Sequence, residues 1–308
     1  DELRLLAWGT DAGFYRLIPK IVIRAKDENE VSRLLALADK YTLPVTFRAA
    51  GTSLSGQSIS DSILIVAGKN WEKYSISEDF ERITLQPGII GARVNEILKP
   101  HGRKFAPDPA SVKSAMVGGI VMNNASGMNC GTHANSDKEL LSAKIVLADG
   151  TRLNTSDPES RTTFERKHTP FLNKIIEIRD EIRNDNELSD RIRKKYSIKN
   201  VTGLNLLPFV IYDDPFDIIA HLMVGSEGTL AFLSEVTMKT EHDYPYSASA
   251  MLYFSNIKDA CRAVVAMKPG PVFSAELLDK KSLASVNDTT GTGLTAVLTE
   301  TKADTPEE

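Results

Sequence analysis

The sequence predicts a mixed α+β chain in two parts. Three observations carry this. Strand and helix patterns alternate from the start, in the order strand, helix, strand. Three separate stretches of glycine, serine and other small residues border strand patterns, near residues 49–57, 107–127 and 225–230. From about Tyr244 the pattern restarts as a separate α+β unit that stops at Glu308 with its sheet unfinished, as a truncated chain would.

The elements follow in order. Asp1 to Leu17 is a lead-in, and Ile21-Val22-Ile23 reads as a strand. Asp27 with Glu30 three residues on marks a capped helix start, and Val31, Leu34, Leu35 and Ala38 give it one apolar face. Val45 and Phe47 suit a buried strand. It breaks into Ala49-Ala50-Gly51-Thr52-Ser53-Leu54-Ser55-Gly56-Gln57, where little projects from the backbone except hydroxyls. Such a loop lets main-chain N–H groups converge on an anion, and a phosphate or pyrophosphate is the natural guest. Gly51 to Ser58 nearly spells an ATP-type phosphate loop, but Gln57 replaces its lysine and a strand, Ile63 to Val66, follows in place of a helix. A plain Gly/Ser surface loop is the competing reading.

Ile83 to Gln86 is a strand closed by Pro87-Gly88, and Ile90, Val94, Ile97 and Leu98 mark a second helix. Pro107-Asp108-Pro109-Ala110-Ser111 and then Gly118-Gly119 through Asn123-Asn124 to Gly127 form the second small-residue stretch. Its glycines allow close approach of something flat, and Asx turns in a tight loop are the alternative. Asp149-Gly150 turns a hairpin. Residues 161–195 read as charged helix with Phe171, Ile175, Ile178 and Ile182 as the buried stripe. Asp214-Pro215 starts another helix. Gly225-Ser226-Glu227-Gly228-Thr229-Leu230 then delivers the chain into a strand over 231–239. Beyond Tyr244 the pattern predicts a strand over 248–254, helices over 255–267 and 277–286, and a strand over 294–299.

Composition narrows the function. The 308 residues are 42% hydrophobic and 25% charged, enough for a sizeable core. A formal net charge of -4 gives no footprint for nucleic acid, and no apolar run is long enough to span a bilayer. Cys130 and Cys261 lie far apart, which predicts two free thiols in a reducing compartment and no zinc or iron–sulfur site.

Taken together, the three stretches resemble the flavoenzymes with a vanillyl-alcohol-oxidase type of FAD-binding domain, and most closely the branch of the D-2-hydroxy-acid dehydrogenases. The resemblance implies an FAD-binding domain over 1–243, in two subdomains of about 1–70 and 71–243, followed at 244–308 by the start of a ferredoxin-like α+β cap. It also implies roles. Arg48, Ala49, Ala50, Gly51, Thr52, Ser53, Gly56 and Gln57 would cradle the pyrophosphate. Pro107, Asp108 and Ser111 would line the flavin side, and Gly118, Gly119, Asn123, Asn124 and Gly127 would border the isoalloxazine and ribityl chain. Gly228, Thr229 and Val236 would close over the other face. No histidine stands in the first loop, where members with covalent flavin carry one, so non-covalent FAD is expected; a thioether through Cys130 is the alternative, an idle thiol the simpler reading. Met128 to His133 departs from the family pattern at the pocket edge.

The activity implied is oxidation of a 2-hydroxy acid such as D-lactate, with electrons passed to a quinone, a cytochrome or an iron–sulfur domain. The alternatives are an alcohol or sugar oxidase or a cell-wall-precursor reductase on the same fold, or a non-catalytic nucleotide-binding module. His101, His133, His168, His221 and His242 show no metal spacing, so no catalytic residue and no metal ligand is assigned. The family draws those residues from its cap and C-terminal segment, which predicts that this chain alone binds FAD weakly or not at all and does not turn over. A cytoplasmic location is implied, with a peripheral seat at the inner membrane as the family's other habit.

Overall fold

In the computed structural model, residues 1–128, 130–131, 133–268, 270–286 and 294–307 are described. The chain opens with a short helix, α1 (Glu2–Ala7). Strand β1 (Ile21–Arg24), helix α2 (Glu28–Lys40), and strands β2 (Val45–Arg48) and β3 (Ile63–Val66) follow. The strands form a parallel sheet in the order β1-β3-β2. At the start of α2 the Asp27 carboxylate accepts from the Glu30 N–H at 2.8 Å. The Glu30 carboxylate reaches back to the Lys26 N–H at 2.6 Å, one residue before the expected capping-box partner.

Parallel neighbours need a crossover because their facing ends lie at opposite edges of the sheet, and a helix usually supplies it. Between β2 and β3 residues 49–62 make that crossing without a helix. The first small-residue stretch is therefore a loop drawn across the end of the sheet.

Next come β4 (Tyr74–Ile76), β5 (Arg82–Leu85), α3 (Gly91–Leu98), a 3-10 turn (Lys99–His101) and β6 (Arg103–Lys104). They are followed by α4 (Val117–Asn123), α5 (Ser136–Glu139), β7 (Leu140–Val146) and β8 (Arg152–Asn154). Helices α6 (Pro158–Asn184), α7 (Asn186–Lys195), α8 (Leu207–Ile211) and α9 (Pro215–Leu222) lead to β9 (Phe232–Lys239) and β10 (Glu241–His242). The antiparallel sheet runs β4-β5-β9-β7-β8, and β6 pairs with β10. Helices α3, α4, α6, α8 and α9 bury their apolar faces in the large core, which includes Ile83, Val94, Ile120, Ile145, Phe164, Phe209 and Ile218.

Two expectations change here. Gly118-Gly119, read as glycines that allow close approach with a tight loop as the alternative, lie in α4. Helix α6 buries Phe164, Leu172, Ile175 and Ile182, while Phe171 is exposed and Ile178 only partly buried. Pro170 cannot donate to the helix ladder, and the chain leaves helical geometry at His168, which shifts the face presented to the core.

A smaller core joins the two sheets. Val31, Leu35, Ile65, Ala67 and Trp71 pack with Val146 and Phe232. The Trp71 indole N–H donates to the Ala25 carbonyl at 2.9 Å. Its ring meets Phe232 edge-on at 5.0 Å, and Phe47 meets Phe232 at 5.1 Å. Such rings bury on the order of 200 Å² each, so each supplies up to about 5 kcal/mol at about 25 cal/mol per Å².

The last part contains β11 (Tyr246–Phe254), α10 (Ile257–Met267), β12 (Ser274–Leu278), α11 (Lys280–Ser285) and β13 (Thr295–Ala303). Its sheet is antiparallel in the order β11-β13-β12. The helix expected over 277–286 divides: Ser274 to Leu278 pairs with β13, and Asp279 then caps α11 by accepting from the Ser282 N–H at 2.8 Å. Helix-forming residues such as Ala275, Glu276, Leu277 and Leu278 are held as strand by the ladder. The whole is the α+β arrangement the sequence predicts.

Candidate functional site: a cleft closed by three loops

The three small-residue stretches meet around one cleft of about 540 Å³. The first supplies its floor. Among the described residues, the main-chain N–H groups of Ala49 through Leu54 donate to no protein acceptor. Such a run of free donors in a concave loop is a cradle for an anion. Gly51 adopts φ +74°, and a side chain there would run into the Arg48 guanidinium. Ala49 and Ala50 keep negative φ, so their methyl groups cost no strain. Arg48 braces the loop from beneath. Its Nη1 donates to the Thr10 carbonyl at 2.7 Å and to that of Trp8 at 3.5 Å, and its guanidinium lies 5.2 Å from the Trp8 ring centre. Burial pulls its pKa down, with Asp11 opposing.

The second stretch supplies a wall. The Gly118 N–H donates to the Pro87 carbonyl at 2.9 Å, and a Cβ on Gly118 would lie 2.6 Å from the Pro87 ring. Only glycine lets α4 approach the β5–α3 turn that closely. Gly119 faces the cleft, with the Ala49 methyl 4.0 Å from where its own Cβ would stand.

The third stretch supplies the clasp. Glu227 sits in the left-handed region at φ 55°, with its N–H donating to the Met122 carbonyl at 2.9 Å. Its carboxylate accepts from the Asn123 amide at 2.5 Å, and the Gln57 side chain lies beside it. The Gln57 oxygen in turn accepts from the Ser55 N–H at 3.1 Å. One carboxylate thus ties the third loop to α4, beside the first loop. Burial raises its pKa, and the two amides partly offset that.

Of the residues the sequence singles out, Arg48, Ala49, Ala50, Gly51, Thr52, Ser53, Gln57, Ser111, Gly118, Gly119, Asn123 and Gly228 line the cleft. The others stand behind it. Gly56 turns the chain at φ +81° beside Tyr15 and Ile59. Pro107 is buried, and Pro109 lines the cleft in its place. Asp108 and Gly127 pack backbone against backbone, so tightly that a Gly127 side chain would fall on the Asp108 carbonyl. Asn124 ends α4 at φ 55° and donates to Asp137 and to the Asn200 carbonyl. The Thr229 hydroxyl donates to the Ser226 carbonyl at 2.6 Å. Val236 is buried in β9, two turns of the pleat beyond the Phe232 and Leu233 that reach the cleft.

Sequence reasoning missed Lys199. Its Nζ donates to the carbonyls of Ser126 and Gly127 at 3.3 and 3.4 Å and lines the cleft. A lone lysine in the polar segment between α7 and α8 carries no periodic or motif signal. Arg48 and Lys199 are the cations of the lining and Glu227 its one carboxylate, while Phe47, Ala67 and Phe232 form the apolar wall.

None of the five histidines lines the cleft. His221 is buried against the Tyr212 hydroxyl at 2.9 Å and the Leu140 carbonyl at 3.2 Å, and burial lowers its pKa. Among the described residues no group of three His, Cys, Asp or Glu side chains could hold a metal. Cys130 and Cys261 are free thiols; Cys130 is buried away from the cleft, its Sγ 3.2 Å from Asn135 Oδ1, and burial raises its pKa. Of the residues that depart from the family pattern, Asn129 and Thr132 lie outside those described. No helix of the described residues is long and apolar enough to cross a membrane.

Free N–H donors, two cations and an aromatic wall in one roomy cleft fit a nucleotide carrying phosphates and a flat ring. Residues 19–156 match the family model described as an FAD binding domain. Over those residues the chain carries an FAD-binding domain. It is 25% identical over 296 residues to D-2-hydroxyglutarate dehydrogenase of Haemophilus influenzae (strain ATCC 51907 / DSM 11121 / KW20 / Rd), covering 90% of this chain and 28% of that protein. It is 25% identical over 279 residues to glycolate oxidase subunit GlcD of Escherichia coli (strain K12), covering 89% and 45%. A D-lactate dehydrogenase of Archaeoglobus fulgidus matches at 24% over 266 residues, covering 85% and 48%. The chain therefore spans under a third of the first of these relatives and about half of the others. A solved alkyldihydroxyacetonephosphate synthase shares the fold, with a TM-score of 0.65 at 16% identity over 98% of this chain and 52% of that one. FAD is the cofactor this FAD-linked domain holds.

Proposed function

We propose that the chain is the FAD-holding part of a dehydrogenase that oxidises a 2-hydroxy acid, with residues 1–243 binding the cofactor and 244–308 opening the part that covers the substrate. The observation that carries the reading is the run of N–H groups from Ala49 to Leu54, with no acceptor among the described residues, in a loop lining a cleft closed by two further loops. That cradle suits a pyrophosphate, whose charge the Arg48 and Lys199 cations also favour. Phe47, Ala67 and Phe232 keep water from one wall. Bound FAD would supply hydride acceptance at flavin N5. The relatives named for 2-hydroxy acids support that substrate class, and the acceptor is a quinone, a cytochrome or an iron–sulfur centre.

The lining offers no histidine to take the hydroxyl proton, so no residue of this chain is assigned as the base. The absence of histidine from residues 48–57 supports a dissociable flavin. The test is an absorbance spectrum of protein purified with FAD, then acid precipitation, then a panel of D- and L-2-hydroxy acids with an artificial acceptor. Flavin bands near about 370 and about 450 nm, released into the acid supernatant, are expected. A colourless protein that FAD does not restore removes the reading.

A further inference from the structure

We propose that Glu227 is a positioning residue for the cofactor: its carboxylate ties the third loop of the cleft to α4 beside the first loop and takes up a proton when the FAD pyrophosphate is seated. This rests on the FAD reading above and deepens it.

Three observations lead here. Glu227 occupies a left-handed backbone position, φ 55°, between Gly225 and Gly228, which also have positive φ. A glutamate held there at a cost of roughly 1 kcal/mol is a place where the side chain has a task. That side chain joins Asn123 of α4 and lies beside Gln57 of the first loop. Gln57 is at the same time bonded to Ser55, at the end of the N–H cradle. The clasp therefore lines the same cleft as the cradle, and it places a negative charge in the cleft that receives another.

The surroundings offer that charge little compensation. The first loop and α4 bring only neutral amides, Gln57 and Asn123. The other charged side chains of the cleft are Arg48, turned to the Trp8 and Thr10 carbonyls, and Lys199, turned to those of Ser126 and Gly127. Burial already favours the neutral acid. An arriving pyrophosphate, with two negative charges, favours it further. A protonated Glu227 keeps a carbonyl oxygen for Asn123 and gains an O–H to donate, so the clasp survives neutralisation.

The sign follows from linkage. Below the cofactor-free pKa of Glu227 the acid is neutral in both states and affinity is independent of pH. Between the free and the bound pKa, binding takes up a proton, and the dissociation constant rises up to tenfold per pH unit. Above the bound pKa it levels off.

The experiment measures FAD affinity by quenching of flavin fluorescence from about pH 5.5 to about pH 9 for the wild type, Glu227→Gln and Glu227→Ala. The wild type is expected to weaken by about tenfold or more across that range, and Glu227→Gln to lose that dependence while binding at least as tightly at high pH. Glu227→Ala is expected to bind weakly at every pH, because Asn123 loses its acceptor and the third loop its tie to α4. Titration calorimetry of the wild type in two buffers of different ionisation enthalpy, on the sloping part of that curve, reads the proton directly. Net uptake of a fraction of a proton up to one per FAD is expected, and this holds even should a variant fail to fold. A slope unchanged in folded Glu227→Gln, or no proton uptake, overturns the proposal while leaving the FAD reading standing. Failure of the wild type to bind FAD at any pH overturns both.

Discussion

Adjacent glycines in α4 are expected to respond to the same substitution with opposite signs. Alanine is a better helix former than glycine by up to about 1 kcal/mol, so Gly→Ala in a helix stabilises wherever the methyl finds room. At Gly119 the nearest atom to the added methyl is 4.0 Å away, ordinary contact, and the gain should survive. At Gly118 the methyl would stand 2.6 Å from the Pro87 Cβ and 3.2 Å from its carbonyl oxygen. Carbon atoms settle near 3.5–4.0 Å, so α4 or the turn must move by about 1 Å. The move strains the 2.9 Å bond from the Gly118 N–H to the Pro87 carbonyl. Overpacking of this kind costs about 1–3 kcal/mol, which outweighs the helix term and leaves a net loss of up to about 2 kcal/mol. For 308 residues the unfolding entropy is about 0.65 kcal/mol per degree if the chain melts as one unit. Without added FAD, Gly118→Ala should lower Tm by up to about 3 °C, and Gly119→Ala should raise it by about 1 °C. With FAD the order changes. The Gly119 methyl projects into the cleft and should weaken FAD about tenfold, a loss near 1.4 kcal/mol. Differential scanning fluorimetry with and without FAD checks both. Gly119→Ala that binds FAD as well as the wild type would refute the placement of α4 against the cofactor.

Trp71→Ala removes the ring between the two sheets together with its bond to the Ala25 carbonyl. It should cost about 3–5 kcal/mol in urea unfolding and loosen FAD as well, because the cleft lies along that junction. Glu139 is buried with Oε2 unpartnered among the described residues, and burial, then the neighbouring Glu241, holds its carboxyl at about 7 against an ordinary 4.5. A value raised by folding stabilises fully below about pH 4.5, and that contribution is lost as pH rises through about 7, by up to about 3 kcal/mol. Glu139→Gln should therefore raise Tm at pH 8 and flatten its fall between pH 5 and 8, and a variant that melts below the wild type at pH 8 would refute the assignment.

The secondary elements were legible where periodicity was strong. Helix α2 announces itself by its Asp27 cap and the Val31, Leu35, Ala38 stripe, buried as expected, while Leu34 is only partly buried and Glu30 reaches Lys26 rather than Asp27. Strand β12 was not legible, because Ala275 to Leu278 has helical propensity and only the ladder with β13 overrules it. The buried face of α6 was displaced by the break at His168, a tertiary accommodation of Pro170 that a single period cannot encode. At the site, small residues in order marked all three walls. They did not separate the glycines that face the cleft from those that let backbones touch: Gly119 and Gly127 look alike in sequence, yet one opens on the cleft and the other lies against Asp108. Lys199 was invisible because its place depends on the loop before α8 folding back over Ser126.

The crossing from β2 to β3 explains why the cradle sits where it does. In a parallel pair the connection must travel the length of the sheet, and a helix would satisfy its own N–H groups on the way. Residues 49–62 cross without one, so the donors from Ala49 to Leu54 remain unspent. The end of β2 is fixed in turn by Arg48 beneath it and by Phe47 against Phe232, which belongs to the other sheet. Phe232 begins β9 immediately after the loop that carries Glu227. The tilted contact of Phe47 with Phe232 therefore sets the distance between cradle and clasp, and any change that slides one sheet over the other should alter cofactor affinity before it unfolds either sheet.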